Sequence, residues 1–205
     1  MQIKFISYVG LVTTLLLAAC SDNNDPAPDP GSDAFITIEG QNYATVKIGT
    51  QTWTSANYAG PGGSAYDNSK PEFGKYYSLV EVKAIALPAG WRLPTLEDYE
   101  KLAANYDITL PTNGSHTEKI KALISKTNWN HVQGTNTSGF NAHPGGYVYV
   151  NGPPIPGDIA EFWATEGKTF SIQEAGAEQT GLRLTFYQSD DSPDYKFNVR
   201  FVKDN

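Results

Sequence analysis

Residues able to act as general bases or metal ligands are few in this chain. His116, His131 and His143 are its three histidines. None stands four residues from another and none has a local cysteine pair beside it. The spacing that gathers imidazoles around a metal is therefore missing, and the three read as surface or loop residues. Cys20 is the single cysteine, so the chain has no internal disulfide and no cysteine metal cluster. Nucleophilic serine chemistry needs a strained elbow such as Gly-x-Ser-x-Gly, and none occurs. The glycine-rich stretches 60–63 and 145–146 lack a following Lys-Ser/Thr and open no helix, which argues against a phosphate cradle.

Carboxylates concentrate late. Asp190, Asp191 and Asp194 lie within residues 188–194 between two expected strands. Calcium takes several carboxylate and carbonyl oxygens, but the spacing is not that of a helix-loop-helix calcium loop, and a solvated hairpin is the expectation. The composition thus points to no catalytic residue, no metal and no cofactor.

Aromatic residues say more. Trp53, Trp91 and Trp163 sit in or beside apolar segments and read as core. Tyr147, Tyr149, Tyr187 and Tyr195 fall at strand ends next to polar loops, where a ring packs and its hydroxyl meets a ligand. Tyr149, Asn151, Asp158, Tyr187, Asp190, Asp191, Asp194 and Tyr195 are therefore the candidate ligand-contact residues.

The elements that position these groups begin after an export signal. Lys4 is followed by an uncharged apolar run over residues 6–17 and by Ala18-Ala19-Cys20. A basic start, a short apolar core and a small-residue cleavage site make a secretory signal over 1–19. The run is shorter than the ~20 residues a permanent span needs. Leu17-Ala18-Ala19-Cys20 resembles the bacterial lipobox, which implies acylation of Cys20 and a membrane partner. Residues 20–33 hold three prolines, four aspartates and no large apolar side chain beyond the cysteine, a composition that forms a tether rather than a core. The acidic residues after Cys20 resemble the signal that sends such lipoproteins to the cell exterior. Removing the signal, with Lys4, takes the formal net charge from -7 to -8. That balance excludes a general affinity for nucleic acid.

Residues 34–205 then form one folded domain. Strands are expected at 35–38, 43–48 and 52–54, a short helix at 77–86, and a second helix at 95–106. The latter opens on Thr95 and Asp98 in capping-box spacing, and places Leu96, Tyr99, Leu102 and Ala103 on one face. A third helix is expected at 116–126, with Ile120, Leu123 and Ile124 inward. Strands at 147–150, 161–165, 169–172, 182–187 and 196–202 follow. Helices gathered ahead of antiparallel strands imply an α+β domain.

Several motifs in fixed order resemble the Fibrobacter succinogenes major paralogous domain of Bacteroidetes-type lipoproteins. They are Ile48-Gly49-Thr50-Gln51-Thr52-Trp53, Gly74-Lys75-Tyr76-Tyr77, Gly90-Trp91-Arg92-Leu93-Pro94-Thr95, Gly139-Phe140 leading to Gly145-Gly146-Tyr147, Glu161-Phe162-Trp163, and Asn198-Val199-Arg200-Phe201. The resemblance spans about 46–204. It implies a fold similar to C-type lectin-like domains, with two or three helices and antiparallel strands. Related members often carry cysteines where this chain has Leu87 and Phe201, which implies an apolar contact in place of a disulfide. The calcium-lectin signatures and the catalytic cysteines of sulfatase-modifying enzymes have no counterpart here. The expected function is a non-enzymatic module that binds a glycan or a protein, held at the outer membrane and facing the cell exterior. A divergent enzyme acting on glycans or peptides, and a structural subunit of a surface complex, are the alternatives.

Overall fold

The computed structural model describes residues 35–66, 69–112, 114–150, 152–175, 178, 180–188 and 194–205. The signal, Cys20 and the tether lie outside this range. No helix among the described residues is long and apolar enough to cross a membrane.

Two three-stranded antiparallel sheets form the frame. The first has the order β12-β4-β3, from β3 (Thr45–Ile48), β4 (Gln51–Thr54) and β12 (Val202–Asp204). It ties the end of the chain to its beginning, with Val202 opposite Trp53. The second has the order β10-β9-β8, from β8 (Ile159–Trp163), β9 (Lys168–Ala175) and β10 (Gly181–Gln188). Three two-stranded pieces complete the set: β1 (Ile36–Ile38) with β2 (Gln41–Tyr43), β5 (Ser64–Ala65) with β6 (Lys75–Tyr76), and β7 (Val148–Tyr149) with β11 (Tyr195–Lys196). With α1 (Leu79–Lys83), α2 (Leu96–Ala104) and α3 (Thr117–Ile120), the domain is α+β.

Local chemistry explains the best-defined helix. Thr95 caps α2 and Asp98 returns the bond, a complete capping box; a cap of this kind contributes about 1 kcal/mol. Tyr99, Leu102 and Ala103 turn inward and are fully buried. Asp98 also accepts from Gln51 Nε2 at 2.7 Å and from both terminal nitrogens of Arg92, while Arg92 reaches Asp204 at 2.9 Å. One carboxylate thus joins the helix start to β4 and, through Arg92, to β12. Against the raising effect of burial, the hydrogen bonds from Arg92, Thr95 and Gln51 together hold the Asp98 carboxyl down at about 2.

Three expected elements are shorter than their sequence suggests. The helix at 77–86 is only Leu79–Lys83, because Ser78 caps it and Tyr77 instead exchanges backbone bonds with Phe197. Leu79 and Val82 turn inward, whereas Val80 is 71% exposed. The helix at 116–126 stops at Ile120, since Ser125 N donates to Ala142 O and Leu123 O accepts from Ala142 N. Ile120, Leu123 and Ile124 are nevertheless fully buried, as expected. The strand at 147–150 ends at Tyr149, and Val150 turns to a positive φ of 48°. The run 43–48 is split at Ala44 between β2 and β3, and 196–202 is shared between β11 and β12.

Alternation along β8 divides the interior in two. Ala160 and Phe162 join Trp53, Tyr99, Phe140, Phe170 and Leu184 in the larger core. Trp163 faces the other way, toward Tyr58, Tyr77, Phe197 and Phe201. Trp53 and Trp163 are fully buried, whereas Trp91 is only half-buried, with Lys203 over its ring. Leu87 packs against the cluster that contains the buried Phe201. His143, read as a surface or loop residue, lies in a loop but is 8% exposed. Burial, aided by the nearby Arg200 charge, pulls its pKa to about 4, so it is neutral at pH 7.

Candidate functional site

A groove opens where β7 and β11 meet the start of β8. Its cavity has a volume of about 360 Å³, and Tyr147, Tyr149, Pro153 and Ile155 form its apolar walls. Asp158, Ile159, Gln173 and Glu174 complete the lining. The antiparallel register places Tyr195 opposite Tyr149, their ring centroids 4.6 Å apart. Tyr195 stacks at 5.9 Å on Phe197, which meets Trp163 edge-on at 4.8 Å. The exposed rings are thereby braced against the core, which lowers the ordering cost of binding on them.

The opposite wall is held by glycine. Gly146 has φ +71°, and a Cβ there would sit 2.4 Å from the Ile155 carbonyl oxygen. Only glycine lets the proline-containing segment before β8 approach so closely. Gly146 N donates to Ile159 O and Gly157 N to Pro144 O, both at 2.8 Å. Beneath them, Tyr76 Oη donates to Gly145 O at 2.6 Å.

The second sheet contributes a polar face. On it lie Glu161, Thr169, Ser171, Gln173, Arg183, Thr185 and Tyr187, in register across the three strands. Gln173 Nε2 donates to Ser171 Oγ at 2.9 Å and Tyr187 Oη at 3.0 Å, and its Oε1 accepts from Arg183 Nε at 3.0 Å. Glu161 is 4% exposed and accepts from Thr169 Oγ1. Burial pushes its carboxyl up to about 7, against the lowering effect of that bond. Glu174 is 8% exposed; its Oε1 accepts from the His131 and Val132 amides at 2.8 and 2.9 Å, while Oε2 is buried without a hydrogen-bond partner.

Of the ligand-contact residues expected from sequence, Tyr149 and Asp158 line the groove, and Tyr195 supports Tyr149 from below. Tyr187 joins through Gln173, and the Asp194 carbonyl receives Val150 N at 2.9 Å. Asn151, Asp190 and Asp191 lie outside the described residues. Sequence reasoning missed Pro153, Ile155, Gln173 and Glu174 as lining, and the buried Glu161 beside them. The available signal was a lone carboxylate in each of two otherwise strand-forming segments. Among the described residues, no group of three or more His, Cys, Asp or Glu comes together to hold a metal ion.

The motif residues build the scaffold. Arg200 is fully buried and donates to the Thr54, Phe140 and Asn141 carbonyls and to Asn57 Oδ1, at 2.6–3.0 Å. Its guanidinium also covers the Phe140 and Phe162 rings at 5.0 and 5.4 Å. Gly139, at φ +73°, leaves room for Val46, whose Cγ2 would lie 2.8 Å from a Cβ. Leu93 packs on the second core cluster, and Pro94 O accepts from Thr165 N and Oγ1, both at 2.9 Å.

No curated protein and no solved structure matches the chain. The model of the Fibrobacter succinogenes major domain matches residues 46–203. That segment covers both three-stranded sheets except Thr45 and Asp204 at the ends of the first, with the groove and the Arg200 cluster, and the chain belongs to the Fibrobacter succinogenes major domain family.

Proposed function

We propose that this protein is a non-enzymatic carbohydrate-binding lipoprotein, anchored in the outer membrane through acylated Cys20 and displayed to the cell exterior. Its domain is of the C-type lectin-like kind, a reading supported by the small antiparallel sheets, the three short helices and the family resemblance. The lipobox-like residues 17–20 and the proline-rich tether support the anchoring. The observation that carries the binding role is the groove itself, where exposed tyrosine rings stand opposite carboxylate and amide side chains. Sugars present apolar C–H faces to rings and hydroxyls to such groups. A cavity of about 360 Å³ lies at the small end of the ligand-pocket range. It suits one or two sugar units better than a protein partner, which covers about 800 Å² per side.

A glycan array probed with the full chain, in detergent, tests this directly. At least one glycan class binds, and Tyr149→Ala weakens it about tenfold through the lost ring contact. Because Tyr149 is 52% exposed, the same variant leaves the melting temperature nearly unchanged. Binding of no glycan above the level of a Tyr147→Ala/Tyr149→Ala double variant would sink the reading.

A further inference from the structure

This inference rests on the groove being a carbohydrate site and names the chemistry of the sugar bound beside it. The register of the second sheet carries the groove floor outward. Ile159 lies opposite Gln173, and Gln173 opposite Arg183, so one row of side chains crosses all three strands. Neighbouring strands lie about 4.8 Å apart, which puts Arg183 roughly 10 Å from Ile159 along that row. Ile159 and Gln173 line the cavity, and Arg183 stands exposed beyond them.

The Arg183 guanidinium is held in place before any ligand arrives. Its Nε and Nη2 donate to Gln173 Oε1 at 3.0 and 2.5 Å, and Nη2 also donates to Tyr187 Oη at 3.1 Å. Gln173 Nε2 in turn donates to Tyr187 Oη at 3.0 Å and to the fully buried Ser171 at 2.9 Å. An exposed cation is thus tied to a fixed point of the sheet, which lowers the ordering cost of binding to it. Those bonds occupy Nε and Nη2; among the described residues, neither Nη1 proton has a partner. The Tyr187 hydroxyl touches the guanidinium, so its ring, 37% exposed, lies beside it.

Charge sorts the ligand along this row. None of the residues lining the cavity is Lys, Arg or His, and Asp158 is among them. The cavity itself therefore suits a neutral unit, and an acid group finds its cation only at the Arg183 end. A carboxylate accepts from a guanidinium about twice as strongly as a neutral hydroxyl does. A uronic acid carries its carboxylate directly on the ring, so a ring packed on Tyr187 brings the acid to the adjacent Nη1.

We infer that the groove continues over the second sheet as a subsite for a uronic acid, its carboxylate on Arg183 Nη1 and its ring against Tyr187. The neighbouring unit of the chain is neutral and lies between Tyr147, Tyr149 and Ile155.

Isothermal titration of the full chain in detergent tests this with a tetramer alternating glucuronate and N-acetylglucosamine, and with its carboxyl-reduced counterpart. The acidic tetramer binds about tenfold tighter than the reduced one. Arg183→Gln removes that margin, and because the side chain is exposed the melting temperature hardly changes. Arg183→Lys keeps the charge without the planar fork and restores only part of the margin. Tyr187→Phe keeps the ring but releases the guanidinium, and narrows the margin about threefold. Equal affinity for the two tetramers, or a margin that survives Arg183→Gln, overturns the inference and leaves the carbohydrate reading standing. Binding of neither tetramer also overturns it, and the glycan array then decides the broader reading on its own.

Discussion

Three buried ionisable side chains in this domain are treated in opposite ways. Arg200 is enclosed by three carbonyls, one amide oxygen and two aromatic faces. Burial lowers its pKa to about 9, and it is still a cation at neutral pH. Glu161 and Glu174 are nearly as inaccessible but are held by fewer bonds, from the Thr169 hydroxyl and from two backbone amides respectively. One carboxyl is pushed to about 7 by burial, and the other keeps an oxygen without a partner. A satisfied buried polar atom stabilises a fold and an unpaired one costs stability. Arg200 stands at the satisfied pole, while Trp53 Nε1 and Asn198 Oδ1, also in the scaffold, are buried without a hydrogen-bond partner as Glu174 Oε2 is.

The largest effect is expected at the satisfied pole. Arg200→Met removes four hydrogen bonds at once and leaves their buried acceptors without the donor. At about 1–3 kcal/mol for each buried unsatisfied group, the loss exceeds roughly 4 kcal/mol, comparable with the whole stability of many domains. Urea unfolding of the variant should show a much lower midpoint or no cooperative transition. A loss below about 1 kcal/mol would mean that Arg200 does not organise the interior.

Substitution at Glu161 should have the opposite sign. The folded Glu161 carboxyl titrates at about 7, above its ordinary 4.5. Its stabilising contribution is fully present below pH 4.5 and is lost as pH rises through 7. Glu161→Gln should therefore raise stability above pH 7 by on the order of 2–3 kcal/mol. His143 opposes this in wild type, because its folded pKa of about 4 makes stability fall as pH drops from 6.5 through 4. The difference between wild-type and variant melting curves isolates the Glu161 contribution. A constant offset from pH 4 to 8 would contradict it.

What sequence alone made legible follows the same division. α2 was readable because Thr95 and Asp98 act on their own turn. The strands of the second sheet were readable from β-branched and aromatic residues in local runs. α3 was over-extended because its end is set by Ala142, a partner about twenty residues away. Tyr149 and Asp158 could be named from their types, yet Ile155 and Glu174 enter the groove only through the turn at Gly146 and the pairing of β9. No local pattern encodes that meeting.

A smaller effect is expected where the network is half-exposed. Asp98→Asn weakens the capping box and the Arg92 pairing, and should cost about 1–2 kcal/mol at pH 7. The folded Asp98 pKa of about 2 lies below its ordinary 3.8. Its contribution is thus present above pH 3.8 and lost as pH falls through 2. The penalty of the variant should shrink on the acid side, in a window separate from that of Glu161. A penalty still at full size near pH 2 would show that shape rather than charge holds the helix start.

The smallest stability effect belongs to the groove wall. Ile155 is 79% exposed, so Ile155→Ser removes little that folding has buried and should change stability by less than about 0.5 kcal/mol. Its backbone is nevertheless pinned against Gly146, which keeps the side chain at the cavity edge in the variant too. If the groove binds sugar, the serine variant loses apolar contact with the ligand and about threefold in affinity. Unchanged melting with weakened binding is the signature of a residue retained for the ligand. Unchanged melting with unchanged binding would move the site away from this wall, toward the tyrosines alone.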